Sequence, residues 1–109
     1  MVTDIILTVD KGGEVSTDEY TNSNEADANL DELRNMPDEE LEAQGIVGFI
    51  GLTYDENDDK FYVSDSYSIS PRYDEDVRAM IRFTLKKYNK KNLSESANSL
   101  LFNRSFKNK

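Results

Sequence analysis

Residues 46–69 constrain the fold more than any other stretch of the chain. Ile46 to Tyr54 is an apolar run of strand-forming residues, and Asp55-Glu56-Asn57-Asp58-Asp59 follows as a polar turn. Lys60 to Ile69 then alternates, with Phe61, Val63, Tyr67 and Ile69 on one side and Tyr62, Ser64, Ser66 and Ser68 on the other. A buried run, a turn and a period-two return predict an antiparallel hairpin with one face on a core. Asp65 falls on the apolar row, which implies an edge position, a basic partner or a slip in register.

A hairpin alone is not stable in water, so the flanking segments must cover it. Upstream, Asp4 to Asp10 (DIILTVD) is β-branched and apolar and reads as a first strand, closed by a turn at Lys11-Gly12-Gly13. Downstream, Ser70-Pro71 suits the start of a helix, with serine as cap and proline at the first position. Tyr73, Val77, Met80, Ile81, Thr84 and Tyr88 recur at helical spacing after it. Asp74, Glu75 and Asp76 stand at its start, and Lys86, Lys87, Lys90 and Lys91 at its end, which complements the helix dipole. The fold class expected is α+β: a small antiparallel sheet, made of the N-terminal strand and the central hairpin, packed against a C-terminal amphipathic helix.

Between the first strand and the hairpin the pattern is weaker. Residues 14–29 are mostly Ser, Thr, Asn, Asp, Glu and Ala, with Val15 and Tyr20 as apolar bulk. They read as a mobile acidic loop, with room for a short strand at 13–16. Leu30, Leu33 and Met36 mark a short helix over 30–36 that Pro37 ends. A second short helix runs from Asp38 to Gln44 and stops at Gly45. Ser94 to Phe106 has the spacing of a final helix burying Ala97, Leu100, Leu101 and Phe106, with a loose tail at 104–109. With 109 residues the chain suits one domain, 1–109.

Composition narrows the chemistry. The chain has no cysteine, no histidine and no tryptophan. It therefore lacks the thiol nucleophile, the commonest general base and the commonest metal ligand. Carboxylate, lysine, tyrosine and magnesium-type chemistry remain, so the expectation is a non-enzyme with no cofactor and no metal. No apolar run reaches the roughly 20 residues that span a bilayer, and Met1-Val2-Thr3-Asp4 does not open a secretory signal. No membrane partner and a cytoplasmic location are expected.

Two motifs invite metal chemistry and fail on inspection. Asp55, Asn57 and Asp59 occupy the first, third and fifth places of an EF-hand loop, but Lys60 stands where glycine is needed and Ser66 where a bidentate glutamate is needed. Pro37-Asp38 with Asp58-Asp59-Lys60 matches a magnesium-nuclease pattern too short to be specific. Gly12-Gly13 and Gly48/Gly51 match no phosphate loop; the latter pair reads as close backbone approach within a strand. Tyr54, Tyr62, Tyr67, Tyr73 and Tyr88 read as core or core-edge residues, with Tyr62 the one placed to anchor an interface.

The charge layout carries more. The net charge is −9, yet residues 1–60 hold 17 of the 22 acids with only Lys11, Arg34 and Lys60 as bases. Residues 61–109 hold five acids and ten bases. Such asymmetry points to interaction surfaces, unless the halves neutralise each other in the fold. Asp31, Glu32, Asp38, Glu39, Glu40 and Glu42 on the short helices, with Asp55, Glu56, Asp58 and Asp59 at the hairpin tip, form the candidate partner-binding set. Carboxylates on a folded scaffold can fill a groove built for phosphates. Arg78, Arg82, Lys86 and Lys90 form a secondary basic stripe on the main helix. The overall acidity argues against direct nucleic-acid binding.

In size, acidity, absence of Cys and His, and the stretch Lys86-Lys87-Tyr88-Asn89-Lys90-Lys91-Asn92, the chain resembles at class level the small acidic inhibitors of phages and mobile elements, anti-CRISPR and anti-restriction proteins among them. Toxin-neutralising immunity proteins share the profile. The resemblance implies a non-catalytic inhibitor whose partner is a host or cognate protein with a basic surface. The alternative is an immunity or adaptor protein that binds through an apolar groove or a strand edge. A homodimer is compatible with either, and no residue role is carried over.

Overall fold

The computed structural model describes residues 1–89. The final helix expected at 94–106, the tail at 104–109 and Lys90 of the basic stripe lie outside the described residues. Along the chain the elements are β1 (Asp4–Val9), β2 (Val15–Tyr20), α1 (Ser23–Asn35), α2 (Asp38–Ala43), β3 (Gly48–Asp55), β4 (Lys60–Ser68) and α3 (Asp74–Tyr88), the last entered through a 3-10 turn at Pro71–Tyr73. The strands form one antiparallel sheet in the order β2-β1-β3-β4. The expected α+β arrangement, an antiparallel sheet against the main helix, is what the chain adopts. Both short helices expected between the first strand and the hairpin are present, and the chain adds one full strand and two further turns at the start of the first of them.

The added parts come from residues 14–29, which are not a loop. Val15–Tyr20 pairs along its full length with β1, from Val9↔Val15 to Asp4↔Tyr20. Its side chains remain largely exposed because it is an edge strand with α3 set away from it. The turn before it is built by Asp10, whose carboxylate accepts from the N–H groups of Gly12 and Glu14, both at 2.9 Å, while Gly13 takes φ +83°. A three-residue loop ending in a left-handed glycine is a standard way to close such a hairpin. Helix α1 then starts at Ser23, capped by the Asn22 side chain accepting from the N–H groups of Asn24 and Glu25.

Alternation along β1 and β3 divides the core between two faces. Ile5, Leu7, Val9, Ile50 and Leu52 pack with Val77, Met80, Ile81 and Leu85 of α3. Ile6, Phe49 and Tyr67 pack on the opposite face with Leu30 of α1 and Leu41 of α2. Both glycines of β3 sit where a helical layer reaches the backbone. A Cβ on Gly48 would lie 2.5 Å from a Val77 methyl, and one on Gly51 would lie 2.9 Å from a Leu30 methyl. Close approach, as the sequence suggested, is the reason for both. Helix α2 ends with paired bonds from Gly45 N–H to the Glu42 carbonyl and from Ile46 N–H to the Leu41 carbonyl, with Gly45 at φ +82°.

Strand β4 does not keep one register. Opposite Gly51 the pairing moves from Asp65 to Val63 across Leu52, so Ser64 is the extra residue of a bulge. Phe61 and Val63 therefore join the α3 side, whereas Tyr67 joins the α1–α2 side. The single apolar row expected for Phe61, Val63, Tyr67 and Ile69 is corrected accordingly. Asp65 answers to all three of its readings, since it lies on an edge strand, sits at the slip and is bonded to Arg34 of α1 at 2.5 Å. Among the described residues no helix is long and apolar enough to cross a membrane.

Candidate functional site: an acidic helical face

Helices α1 and α2 form an outer layer because Ala26, Leu30 and Leu41 are the side chains they bury. Leu33 and Met36 pack partly against the same cluster, and most of the remaining side chains turn toward solvent. Residues 23–44 contain eight carboxylates (Glu25, Asp27, Asp31, Glu32, Asp38, Glu39, Glu40, Glu42) and one base, Arg34. Arg34 is already engaged, to Asp31 at 2.6 Å and to Asp65 at 2.5 Å. Burial opposes its charge, yet the bonds and proximity of the two carboxylates outweigh that and raise the guanidinium pKa. Glu42 takes Lys11 at 2.9 Å, a contact that raises the lysine pKa. Glu32, Glu39 and Glu40 are exposed.

Asp38 has a different use. It is half-buried and accepts a 2.5 Å hydrogen bond from the Tyr67 hydroxyl, which ties α2 to β4. Of the candidate acids it is the one whose geometry is explained by packing. Glu25 and Asp27, in the stretch whose composition reads as a loop, belong to the face as well. The pattern Asn22-x-x-Glu25 is the signal that would have extended the helix to include them.

The hairpin-tip acids do not join this face. Register places Val9 opposite Gly48 at one end of the sheet and Asp4 opposite Thr53 at the other. The Lys11 turn, with Glu42 held to it, lies at the first end; the Asp55–Lys60 turn lies at the second. At roughly 3.3 Å per strand residue the two are about 20 Å apart. Moreover, Asp59 and Asp58 accept hydrogen bonds from Tyr54 and Tyr62, each at 2.6 Å, and Asp55 accepts from the Asn57 N–H at 2.8 Å. The Asp59 contact raises the Tyr54 pKa. Tyr62 of β4 is thus tied to the turn through its hydroxyl. Glu56 remains exposed there. Asp38 and Asp58, the two halves of the nuclease-like pattern, sit at opposite ends. Among the described residues no group of three or more carboxylates is arranged to hold a metal ion.

Helix α3 stands on the other face of the sheet, with four bases against three acids. Its Arg78 and Arg82 pair within the helix to Glu75, at 3.6 and 3.2 Å. Lys86 is exposed at its last turn. None of the ion pairs among the described residues joins an α1 or α2 carboxylate to an α3 base. The sheet separates the two helical layers by on the order of 20 Å, about two Debye lengths at physiological salt. Among the described residues, the α1–α2 carboxylates and the α3 bases therefore do not neutralise each other. Comparison with family models, with curated proteins and with solved structures gives no match for this chain.

Proposed function

We propose that the α1–α2 face is a protein-binding surface, and that the protein is a non-catalytic acidic inhibitor of a nucleic-acid-binding protein acting in the cytoplasm, of the anti-CRISPR or anti-restriction kind. The observation that carries this reading is the segregation of charge. Seven exposed carboxylates share one helical layer, and the nearest bases of the main helix lie behind the sheet. A basic partner groove evolved for phosphates gains the same Coulomb attraction from such a layer, and the long-range part of it steers encounter. The direct partner is a protein, because the field of this face repels a nucleic acid.

The test is competitive capture with the full-length chain. Nucleic-acid-binding proteins retained from a cell lysate are expected to elute with duplex DNA and with rising salt. Glu39→Lys, Glu40→Lys and Glu42→Lys together are expected to weaken retention at least about tenfold. Retention indifferent to salt, to DNA and to the triple reversal would remove the acidic face from the contact. The second reading, an immunity or adaptor protein, draws on the exposed edge of β2 and the apolar groove beside it. Its signature is capture that salt leaves unchanged.

A further inference from the structure

The two edges of the sheet differ. On β4 the register breaks at Ser64, and the Asn89 side chain takes both the N–H and the carbonyl of Phe61. A bulge and a covering side chain are devices that stop a further strand from adding. Strand β2 has neither. Its six residues pair with β1 without a shift, include no proline and no lysine, and have no strand beyond them among the described residues.

Alternation says which groups this edge offers. The Asp10 N–H bonds the Glu14 carbonyl at 3.0 Å, while the Val9 carbonyl accepts from Val47 on the other side of β1. The bonded pairs of β1 and β2 are therefore Thr8 with Ser16 and Ile6 with Asp18. Ser16 and Asp18 turn their N–H and C=O groups to β1, and Val15, Thr17 and Glu19 turn theirs away from the sheet. The side chains divide likewise. Val15 and Thr17 lie opposite Val9 and Leu7 on the α3 face, and Asp18 lies opposite Ile6 on the α1–α2 face. All five residues from Val15 to Glu19 are exposed.

Charge decides what can pair there. Residues 12–33 hold seven acids and no base, with Glu14, Asp18 and Glu19 on the strand or the turn before it. Pairing β2 with a second β2 along its length sets the Asp18 and Glu19 carboxylates of both copies within a few residues of one another, which like charge disfavours. A strand carrying Lys or Arg meets the opposite field. We propose that β2 is a docking edge for an extended basic segment of a partner protein, added as a further strand of the sheet with its bases beside Asp18. Backbone bonds to Val15, Thr17 and Glu19 hold it, and the carboxylates select it. The proposal does not depend on what the α1–α2 face binds, and Glu39→Lys, Glu40→Lys and Glu42→Lys leave the edge intact.

The probe is a blocked peptide of about eight residues alternating valine with arginine, its control the same peptide with glutamate for arginine, and the target the full chain. The arginine peptide is expected to bind at least about tenfold more tightly than the glutamate one. In amide exchange the N–H groups of Val15, Thr17 and Glu19 are expected to gain protection when it is added, whereas those of Ser16 and Asp18 are protected already. Thr17→Pro removes an outward N–H and no bond to β1. It is expected to weaken binding about tenfold with circular dichroism near wild type. Asp18→Lys, at an exposed position, is expected to weaken it by a similar factor. Equal affinity for the two peptides overturns the proposal, as does binding indifferent to Thr17→Pro or to Asp18→Lys. So does binding lost in the Glu39→Lys, Glu40→Lys, Glu42→Lys chain with no protection at β2, which would hand the peptide to the α1–α2 face. Protection that appears without peptide and grows with protein concentration would make a second copy the occupant, and overturns it equally.

Discussion

Asn89 supplies Phe61 with both halves of a strand-type pairing. Its side-chain oxygen accepts from the Phe61 N–H at 2.8 Å, and its side-chain nitrogen donates to the Phe61 carbonyl at 2.7 Å. Strand β4 is an edge, so without Asn89 these backbone groups have no partner on that side. The residue is 4% exposed and also ends α3, its N–H bonded to the Leu85 carbonyl. One amide thus fixes where the main helix stops and where the β3–β4 hairpin is held against it, with Phe61 and Tyr88 in edge contact at 5.5 Å.

Asn89→Ala is expected to lower unfolding stability by about 2–3 kcal/mol, because it strands two buried backbone groups as well as losing two bonds. Urea denaturation of the full chain measures it. Asn89→Asp keeps the acceptor, loses the donor and buries a charge, so it is expected to cost at least as much. A loss below about half a kcal/mol for Asn89→Ala would mean that water replaces the amide without penalty.

Arg34 and Asp65 carry the second prediction. Their 2.5 Å contact joins α1 to the bulged turn of β4, and the Asp65 side chain is only 12% exposed. Removing the arginine leaves a largely buried carboxylate, whereas removing Asp65 leaves Arg34 its contact with Asp31. Arg34→Ala is therefore expected to destabilise more than Asp65→Ala, with a coupling of about 1–2 kcal/mol in a double-mutant cycle. Arg34→Lys is expected to recover little of this, because a lysine has no fork to reach Asp31 and Asp65 together. Additive single losses would reduce the pair to a surface contact.

The same pair shows what could be read from residues alone. Asp65 breaks an otherwise regular apolar row, and a break in a period-two pattern is visible in sequence. Its resolution is not: the register slips at Ser64, beside Gly51, where the space a side chain would take is filled by Leu30 from a helix far away in the chain. Likewise β3, β4 and α3 were legible because each buries a continuous face. Strand β2 was not, since an edge strand wet on both sides has no apolar alternation to display. The first two turns of α1 bury only Ala26, so they look like linker. The candidate site was legible in its residue types but not in its grouping. Nothing local to Asp55–Asp59 tells that the hairpin tip and α2 occupy opposite ends of the sheet, and nothing local to Arg78 tells that the basic helix lies behind it.

Tyr88 provides a prediction in pH. Its hydroxyl donates to the Glu19 carboxylate, which fastens the end of α3 to the edge strand. Burial and that carboxylate together push the phenol from its ordinary value near 10 up to about 12. A raised pKa means that the folded protein holds the proton more tightly than the unfolded chain does. The resulting stabilisation is complete below about pH 10, falls as the unfolded chain begins to ionise, and is gone once the pH has passed the folded value of about 12. The stability difference between wild type and Tyr88→Phe is therefore expected to be flat up to about pH 10 and to shrink between there and about pH 12. In an ultraviolet titration of the tyrosinates, Tyr88→Phe is expected to delete one late-ionising group. Glu19→Gln removes the charge but not the burial, so it is expected to move that group only part of the way back. A late phase unchanged in Tyr88→Phe would assign it elsewhere, Tyr54 beside Asp59 being another phenol held up by a carboxylate. A late phase lost in Tyr88→Phe but unmoved in Glu19→Gln would leave burial as its sole cause and free the edge strand from the helix.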